Sequence, residues 1–234
     1  MEPIITIENL SFQYPDGKKA LDRVNLSVSA GEKVALVGAN GAGKSTLLLQ
    51  LNGVYAGNGI IKIAGLECIK KNLNQIRAYV GVVFQNPDDQ LFSVTVFDDV
   101  AYGPRYQGLS KPEVEHKVKL ALSAVQMEEY AERNPYHLSG GEKKRISIAT
   151  VLSMEPKILV FDEPTAGLDP RARRELIELL ERLPQTMLIA THDLGLVEQL
   201  TPRMVIMNHG SIIADGSSKA LLQDAALLMA NGLR

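Results

Sequence analysis

The 234-residue sequence predicts an α/β fold with a central parallel sheet, an N-terminal antiparallel β subdomain and an inserted helical subdomain. Three patterns support this prediction. Apolar, strand-like runs alternate with helical patterns over much of the chain, which favours a parallel sheet. The first 30 residues instead show short apolar alternations around Pro15-Asp16-Gly17, as antiparallel strands do. Residues 86–155 are mainly helical in pattern, so we expect one domain, 1–234, whose core (1–85 and 156–234) carries this insertion.

The individual elements follow from local signals. After the antiparallel strands, apolar runs predict further strands at 33–37, 60–63, 79–84, 158–161, 187–190 and 204–207. Ser110 and Glu113 form a capping box that predicts the start of a helix. Asp169, followed by Pro170, predicts the start of another helix between the strands at 158–161 and 187–190.

A glycine-rich loop joins the predicted strand 33–37 to the next helix. Its residues 38–46 match the pattern G-x-x-x-x-G-K-[ST] of a phosphate-binding loop, which indicates a P-loop nucleoside triphosphatase core. Glycines lack a Cβ, so backbone N–H groups can curl around phosphates at the positive end of the helix. Lys44 would reach the β- and γ-phosphates, and the Ser45 hydroxyl would take a Mg²⁺ position. The residues predicted to bind the nucleotide here are Gly38, Asn40, Gly41, Ala42, Gly43, Lys44, Ser45 and Thr46.

Two strands of the predicted sheet end on polar side chains. The run 158–161 is followed by Asp162 and Glu163, at the sheet edge where α/β proteins bind ligands. Asp162 would hold Mg²⁺ through water, and Glu163 could accept a proton from the attacking water as general base. His192 follows the run at 187–191, and we expect it to contact the γ-phosphate. A polar turn and a structural histidine are the alternatives.

The segment Leu138-Ser139-Gly140-Gly141-Glu142 precedes another helical run. A hydroxyl and two glycines at the start of a helix can cradle an anion, and they can equally form a simple helix cap. Taken by themselves, these residues leave both interpretations open.

The composition argues against several classes of protein. The net charge is −2 and no block of like charges occurs, so we expect no nucleic-acid partner. Cys68 is the single cysteine, which excludes an intrachain disulfide and favours a reducing compartment. No run of about 18 apolar residues could span a membrane, and the N-terminal residues lack the pattern of a signal peptide.

Together, the motifs resemble those of the ABC transporter ATPases, in the same order along the chain. The matching segments are the phosphate loop, Gln85, residues 138–142, Phe161-Asp162-Glu163-Pro164, Gly167-Leu168-Asp169 and His192. The resemblance covers essentially the whole chain. It implies the ABC ATPase architecture, ATP and Mg²⁺ as ligands, and a head-to-tail dimer. Because every motif is intact in this chain, we expect a homodimer.

The resemblance also implies roles for single residues. Tyr14 resembles the aromatic residue that stacks on adenine, and Gln85 resembles the glutamine that senses Mg²⁺ and the attacking water. Residues 139–141 resemble the signature that binds the γ-phosphate of the nucleotide held by the second copy. Asp169 resembles the aspartate that crosses the dimer interface. A packed turn aromatic and a helix cap are the alternatives for Tyr14 and Asp169. The implied catalytic residues are Lys44, Gln85, Glu163 and His192, and the implied Mg²⁺ ligands are Ser45, Gln85 and Asp162.

A finer resemblance lies in residues 85–92 (QNPDDQLF) and 98–104 (DDVAYGP). They look like the energy-coupling-factor group, which imports cobalt, nickel or B vitamins. In that group this region receives the coupling helix of an integral membrane subunit. The resemblance implies a peripheral subunit on the cytoplasmic face of a bacterial or archaeal membrane, with a substrate-binding membrane component as a further partner. An acidic, solvated loop is the alternative.

Other features of the sequence bear on the transported substrate and on alternative functions. Many vitamin importers carry a longer segment after the position of Arg234, which favours cobalt or nickel over the alternative, a B vitamin. A soluble ABC ATPase acting on DNA or ribosomes would carry a long coiled coil or two fused ATPase halves, and neither is visible. A GTPase switch would need an N-K-x-D sequence, which is absent. Intact Glu163 and His192 argue against a pure nucleotide sensor.

Overall fold

Two sheets form the framework of the computed structural model, which describes residues 3–233. Across this range the strands are β1 (Ile5–Gln13), β2 (Lys19–Val28), β3 (Lys33–Val37), β4 (Asn58–Ile63), β5 (Leu66–Glu67), β6 (Val80–Val83), β7 (Ile158–Asp162), β8 (Thr186–Thr191), β9 (Arg203–Asn208) and β10 (Ser211–Ser217). The first sheet is antiparallel, in the order β2-β1-β4-β5. The second has the order β10-β9-β3-β8-β7-β6, and all its pairs except β10–β9 are parallel. The predicted α/β fold class is therefore confirmed.

The helices fill the connections between these strands. They are α1 (Lys44–Gln50), α2 (Leu73–Tyr79), α3 (Val96–Tyr106), α4 (Lys111–Ala124), α5 (Gly140–Leu152), α6 (Pro170–Arg182), α7 (Leu194–Leu200), α8 (Ser218–Gln223) and α9 (Ala225–Ala230). The predicted capping box of Ser110 and Glu113 is present at α4, and Asp169 accepts hydrogen bonds from the first N–H groups of α6. None of the helices in residues 3–233 is long and apolar enough to cross a membrane.

Both faces of the parallel sheet are buried, as expected for strands covered on two sides. In β3, Val34 and Leu36 join a cluster that contains side chains of α1 and of the antiparallel sheet. Ala35 and Val37 point the other way and pack with Leu228 of α9. The period of two along the strand thus places α1, and the loop before it, between the two sheets.

The helices α3, α4 and α5 do not have a core separate from the sheet. Their buried side chains belong to one cluster with Leu159 and Phe161 of β7 and with the apolar side of α6. The helical region therefore packs directly on the sheet beside the ends of β6 and β7. The division at residues 85/86 and 155/156 stays a prediction.

One predicted strand is shorter in the structure than expected, whereas four others extend one or two residues beyond their predicted bounds. Residues 79–84 were expected to be extended, but Tyr79 is the last residue of α2 and the strand β6 covers only Val80–Val83. Phe84 leaves the sheet because its N–H donates to the side chain of Gln90, at 3.1 Å. The sequence analysis did not predict β5, β10, α2, α7, α8 or α9, which are short or have mixed polarity.

Candidate functional site

A cavity of about 290 Å³ lies at the C-terminal edge of the parallel sheet and brings together most of the predicted site residues. Its lining consists of Tyr14, Lys18, Ala20, Asn40, Gly41, Ala42, Gly43, Lys44, Ser45, Thr46, Gln85, Asp162, Glu163 and His192. The loops after β3, β6, β7 and β8 thus converge on one site, at the sheet edge where α/β proteins bind ligands. Lys18 and Ala20 are additions that sequence reasoning missed.

The glycine-rich loop is held tightly against its neighbours. Gly43 has φ of 103°, and a Cβ at this position would lie 2.5 Å from the carbonyl oxygen of Ala20. Only glycine fits such a position. Lys44 folds back over the loop, and its Nζ donates to the carbonyl of Gly38 at 2.7 Å and to that of Ala39 at 3.2 Å. Gly38 itself is therefore part of the loop through its backbone, although it does not line the cavity.

The electrostatics of the cavity reflect its partial burial. Burial lowers the pKa of Lys44, against the nearby charges of Glu163 and Asp162 that favour the ammonium form. Burial also raises the pKa of Asp162, against a hydrogen bond with Ser45 that stabilises the carboxylate. The site thus places one ammonium group, that of Lys44, and the carboxylates of Asp162 and Glu163 around one partly buried cavity.

Glu163 and His192 are in direct contact. The Oε2 atom of Glu163 lies 2.9 Å from Nδ1 of the His192 imidazole. The same oxygen accepts hydrogen bonds from the backbone N–H of His192, at 3.2 Å, and from the Thr191 hydroxyl, at 3.3 Å. Glu163 is 7% exposed, whereas the side chain of His192 is 66% exposed. The buried carboxylate therefore orients the imidazole, whose outer side remains open to the cavity.

The loop after β8 is fixed by Asp193. Its carboxylate accepts two hydrogen bonds from Arg173, at 2.6 and 2.7 Å, one from the Thr165 hydroxyl and one from the N–H of Leu196 at the start of α7. Burial alone would raise the pKa of Asp193, but these hydrogen bonds outweigh it and lower the pKa to about 2. This ion pair attaches the residue next to His192 to helix α6.

Tyr14 lies at the rim of the cavity among other aromatic residues. Its ring meets those of Phe12 and Tyr55 edge to face, with centroid distances of 5.1 and 5.7 Å. Its hydroxyl lies 2.8 Å from Oγ1 of Thr46, within hydrogen-bonding distance. The residue is thus a packed aromatic and a part of the cavity lining at the same time.

The remaining predicted residues lie elsewhere. Ser139, Gly141 and Asp169 line a second cavity of about 430 Å³ together with Glu142 and Tyr130. Gly140 lines a third cavity, which Gln85 also borders. Within one chain, residues 139–141 and Asp169 are therefore not part of the cavity that contains Lys44.

Ser139 is also the N-cap of α5. Its hydroxyl donates to Oε2 of Glu142 at 2.7 Å, and Glu142 accepts the Tyr130 hydroxyl at 2.7 Å. The helix-cap interpretation of this segment is thus correct as far as local structure goes. Ser139 and Gly141 nevertheless line the second cavity.

The comparison with known proteins decides the family. The chain matches the family described as ABC transporter over residues 21–166, which is more than half of its length. The chain belongs to the ABC transporter family. The resemblance and the architecture inferred from the sequence are therefore confirmed.

Individual ABC relatives match all or nearly all of the chain. It is 48% identical to the energy-coupling factor transporter ATP-binding protein EcfA of Carboxydothermus hydrogenoformans, over 100% of this chain and 88% of that protein. It resembles the structure of cbiO1 from Clostridium perfringens, part of the ABC transporter complex cbiONQ, with a TM-score of 0.88, 36% identity and coverage of 100% and 96%. It also resembles the ATP-binding cassette MJ0796, solved as a dimer in a post-hydrolysis state with ADP and Pi, with a TM-score of 0.82, 26% identity and coverage of 92% and 98%.

As an ABC ATPase, the chain binds ATP, with Mg²⁺ as the usual partner ion, and hydrolyses it to ADP and phosphate. The cavity lining fits this ion. The Ser45 hydroxyl and the Asp162 carboxylate interact with each other, and the Gln85 side chain borders the same space. Oxygen donors of this kind are the ligands that Mg²⁺ prefers.

Besides Ala20, three residues that the sequence analysis did not single out belong to this site or support it. Lys18 lines the cavity, Asp193 fixes the loop of His192, and Lys144 of α5 is buried beside Gln85 and Glu163. Lys18 could have been found from the sequence, because it follows the Pro15-Asp16-Gly17 turn next to Tyr14. No local pattern indicates Asp193 or Lys144, because their partners are distant in sequence.

Proposed function

We propose that this chain is the motor subunit of a membrane importer and works as a head-to-tail homodimer with two ATP sites. One observation carries the proposal: the signature residues 139–141 and the phosphate-loop cavity are both intact, yet they lie apart within one chain. Two copies arranged head to tail would bring each signature to the partner's phosphate loop. The dimeric relative MJ0796 supports this arrangement.

In each site the phosphate loop would hold the triphosphate. Backbone N–H groups of residues 38–46 would surround the phosphates, and Lys44 would leave its carbonyl partners to contact the β- and γ-phosphates. Ser45, Gln85 and Asp162 would hold Mg²⁺, which when bound neutralises charge on the phosphates. Tyr14 would stack on the adenine from its aromatic cluster.

Hydrolysis would depend on Glu163 and His192. Glu163 would accept the proton of the attacking water, and His192, held by Glu163, would donate a hydrogen bond to the γ-phosphate. Ser139, Gly140 and Gly141 of the second copy would bind the same phosphate, and Asp169 would lie at the interface. In this arrangement the γ-phosphate would be the only phosphate that contacts both chains. Its loss on hydrolysis would therefore favour opening of the dimer.

A surface on the helical region would receive the membrane subunit. Residues 85–92 and 98–104 expose a pair of edge-to-face rings, Phe92 and Tyr102, which are 61% and 56% exposed and 5.2 Å apart. Adjacent exposed apolar side chains that form a contiguous patch are typical of protein–protein interaction sites. We place the chain on the cytoplasmic face of the membrane, with a coupling helix of an integral membrane subunit on this surface and a separate membrane component that binds the substrate.

For the cargo we propose a transition-metal ion, cobalt or nickel. The whole-chain similarity to cbiO1, part of the ABC transporter complex cbiONQ, supports a role in a membrane transporter, and the choice of a metal ion rests on the resemblance described from the sequence. The similarity to EcfA proteins keeps a B vitamin as the alternative. Purification of the chain with its membrane subunits, followed by identification of the bound ion or vitamin, would decide between the two.

The substitution Glu163→Gln tests the hydrolytic part of the proposal. It keeps the size of the side chain but removes its basicity, so steady-state ATP hydrolysis should fall by at least about 10²-fold. ATP binding should persist, and the protein should elute as a dimer with ATP in size-exclusion chromatography. The matched control is Glu178→Gln on the exposed side of α6, which should behave as the wild type. Near-normal turnover in Glu163→Gln would exclude Glu163 as the general base.

A further inference from the structure

Lys144 is a buried cation that the proposed chemistry does not use. It lies on α5, five residues after Ser139, and is only 3% exposed. Its Nζ donates a hydrogen bond to the carbonyl oxygen of Gln85 and lies 3.4 Å from that of Glu163. Lysine is almost never fully buried without such partners, because removing an ammonium group from water is costly.

The two carbonyl groups belong to neighbouring segments of the site. Strands β6 and β7 are paired in parallel, with Val83 opposite Phe161. Gln85 and Glu163 each follow this pair by two residues, at the point where the chain leaves the sheet. Lys144 thus connects the helix that begins at the signature with both segments that carry proposed catalytic side chains.

The charges around Lys144 agree with a specific role. Burial lowers its pKa, against the charges of Asp162 and Glu163, which favour the ammonium form. These two carboxylates therefore have one ammonium group on the side of the phosphate loop, Lys44, and another on the side of α5. The adjacent Lys143 differs, because it forms an ion pair with Asp88, at 2.7 Å, whose side chain is half exposed.

We propose that Lys144 is a positioning residue that couples the signature helix α5 to Gln85 and Glu163. The inference rests on the proposed function, in which the signature contacts the partner's nucleotide. When that contact shifts α5, the ammonium group of Lys144 shifts the backbone of both segments with it and brings the Glu163 carboxylate into line. Displacement of a catalytic group by about 1 Å can reduce the rate about 10²-fold.

The test compares Lys144→Met, Lys144→Arg and the matched control Lys143→Met in the full-length chain. Lys144→Met keeps most of the unbranched apolar chain and removes the ammonium group, so kcat should fall by at least about tenfold while the dissociation constant for ATP changes by less than about twofold. Lys144→Arg, which keeps charge and donors, should recover most of the activity. Lys143→Met should hydrolyse ATP as the wild type does. If Lys144→Met does not fold, Lys144→Gln replaces it, since its shorter amide cannot reach both carbonyls.

Three results would overturn the inference. The first is a kcat near the wild-type value in Lys144→Met or Lys144→Gln. The second is an equal loss of ATP affinity and kcat in these variants, together with a lower melting temperature. The third is the same loss of kcat in Lys143→Met. If the Lys144 variants keep the wild-type kcat while Glu163→Gln still loses hydrolysis, only this inference is wrong and the proposed function stands. A wild-type chain without ATPase activity, or an active Glu163→Gln variant, would instead overturn the proposed function.

Discussion

At the scale of the residue, Glu163 has a conformation that the surrounding structure must enforce. Its φ is 47°, in the left-handed region that non-glycine residues rarely adopt. Its N–H donates to the carbonyl of Ala190 at 2.8 Å, and its carboxylate contacts Thr191 and His192. Backbone conformations of this type concentrate at functional sites, where the fold supplies the energy that holds them. This agrees with the role proposed for Glu163.

The substitution Lys44→Ala tests the phosphate loop at the same scale. A charge-assisted hydrogen bond contributes about 1.5–3 kcal/mol, so ATP affinity should fall by at least about tenfold. Isothermal titration calorimetry measures this directly, with Lys19→Ala as the control, since Lys19 lies on β2 with an exposed side chain. Unchanged ATP affinity would contradict the role of Lys44. Thermal melting of both variants shows whether the loop still folds without its bonds to Gly38 and Ala39.

At the scale of the element, the pair Arg173–Asp193 joins α6 to the start of α7. The side chain of Asp193 is 20% exposed and that of Arg173 is 26% exposed, so solvent screens this pair less than a surface ion pair. Asp193 follows His192 directly. The Arg173–Asp193 ion pair therefore restricts the position of the His192 imidazole in the cavity.

The substitution Arg173→Ala should lower stability in a pH-dependent way. Because the pKa of Asp193 is lowered to about 2, its ionised form stabilises the fold above the unfolded pKa, and this contribution is lost as the pH falls towards 2. Without Arg173 the loss at pH 7 should be at most about 2 kcal/mol, and the difference from wild type should shrink below about pH 4. Urea denaturation between about pH 7 and pH 3 measures this difference. Arg171→Ala, on the exposed side of α6, is the control, and an equal, pH-independent loss in both variants would contradict the assignment.

At the scale of the whole molecule, the proposed dimer makes each site from two chains. Phosphate loop, Asp162, Glu163 and His192 come from one chain, and residues 139–141 from the other. Two chains that are inactive for different reasons could then restore one intact site between them. This property belongs to the assembly and to no single residue.

A mixture of Lys44→Ala and Gly140→Asp chains tests this property. A Cβ at Gly140 would meet no heavy atom within 4 Å, so the aspartate should be tolerated in the fold while its charge repels the partner's triphosphate. Each variant alone should be inactive, and random pairing in the mixture should give about a quarter of wild-type ATPase activity. Lys44→Ala mixed with Glu163→Gln is the control, because both defects lie in the same half of the site. No recovery in the first mixture, or equal recovery in both, would contradict the composite site.

Much of this site could be predicted because its residues follow strands. The apolar runs at 33–37, 158–161 and 187–190 mark buried parallel strands, and polar residues that follow such strands meet at one sheet edge. This logic led to Asp162, Glu163 and His192, the phosphate-loop motif after the first of these runs led to Lys44, and all four residues line the same cavity. It failed for the strand predicted at 79–84, where the Phe84 N–H donates to the side-chain oxygen of Gln90 and the sheet ends early.

The sequence by itself determined the fold class, the phosphate loop and the family, since apolar periodicity and short motifs are local properties. Only the tertiary structure decided that Lys144 contacts Gln85 and Glu163 and that Arg173 holds Asp193. It also decided that residues 139–141 line cavities other than the one that contains Lys44 of the same chain. The contacts of Lys144 and Arg173 join positions that are 19 to 59 residues apart in the chain. Such pairs are set by how helices pack on the sheet, and no local pattern records that packing.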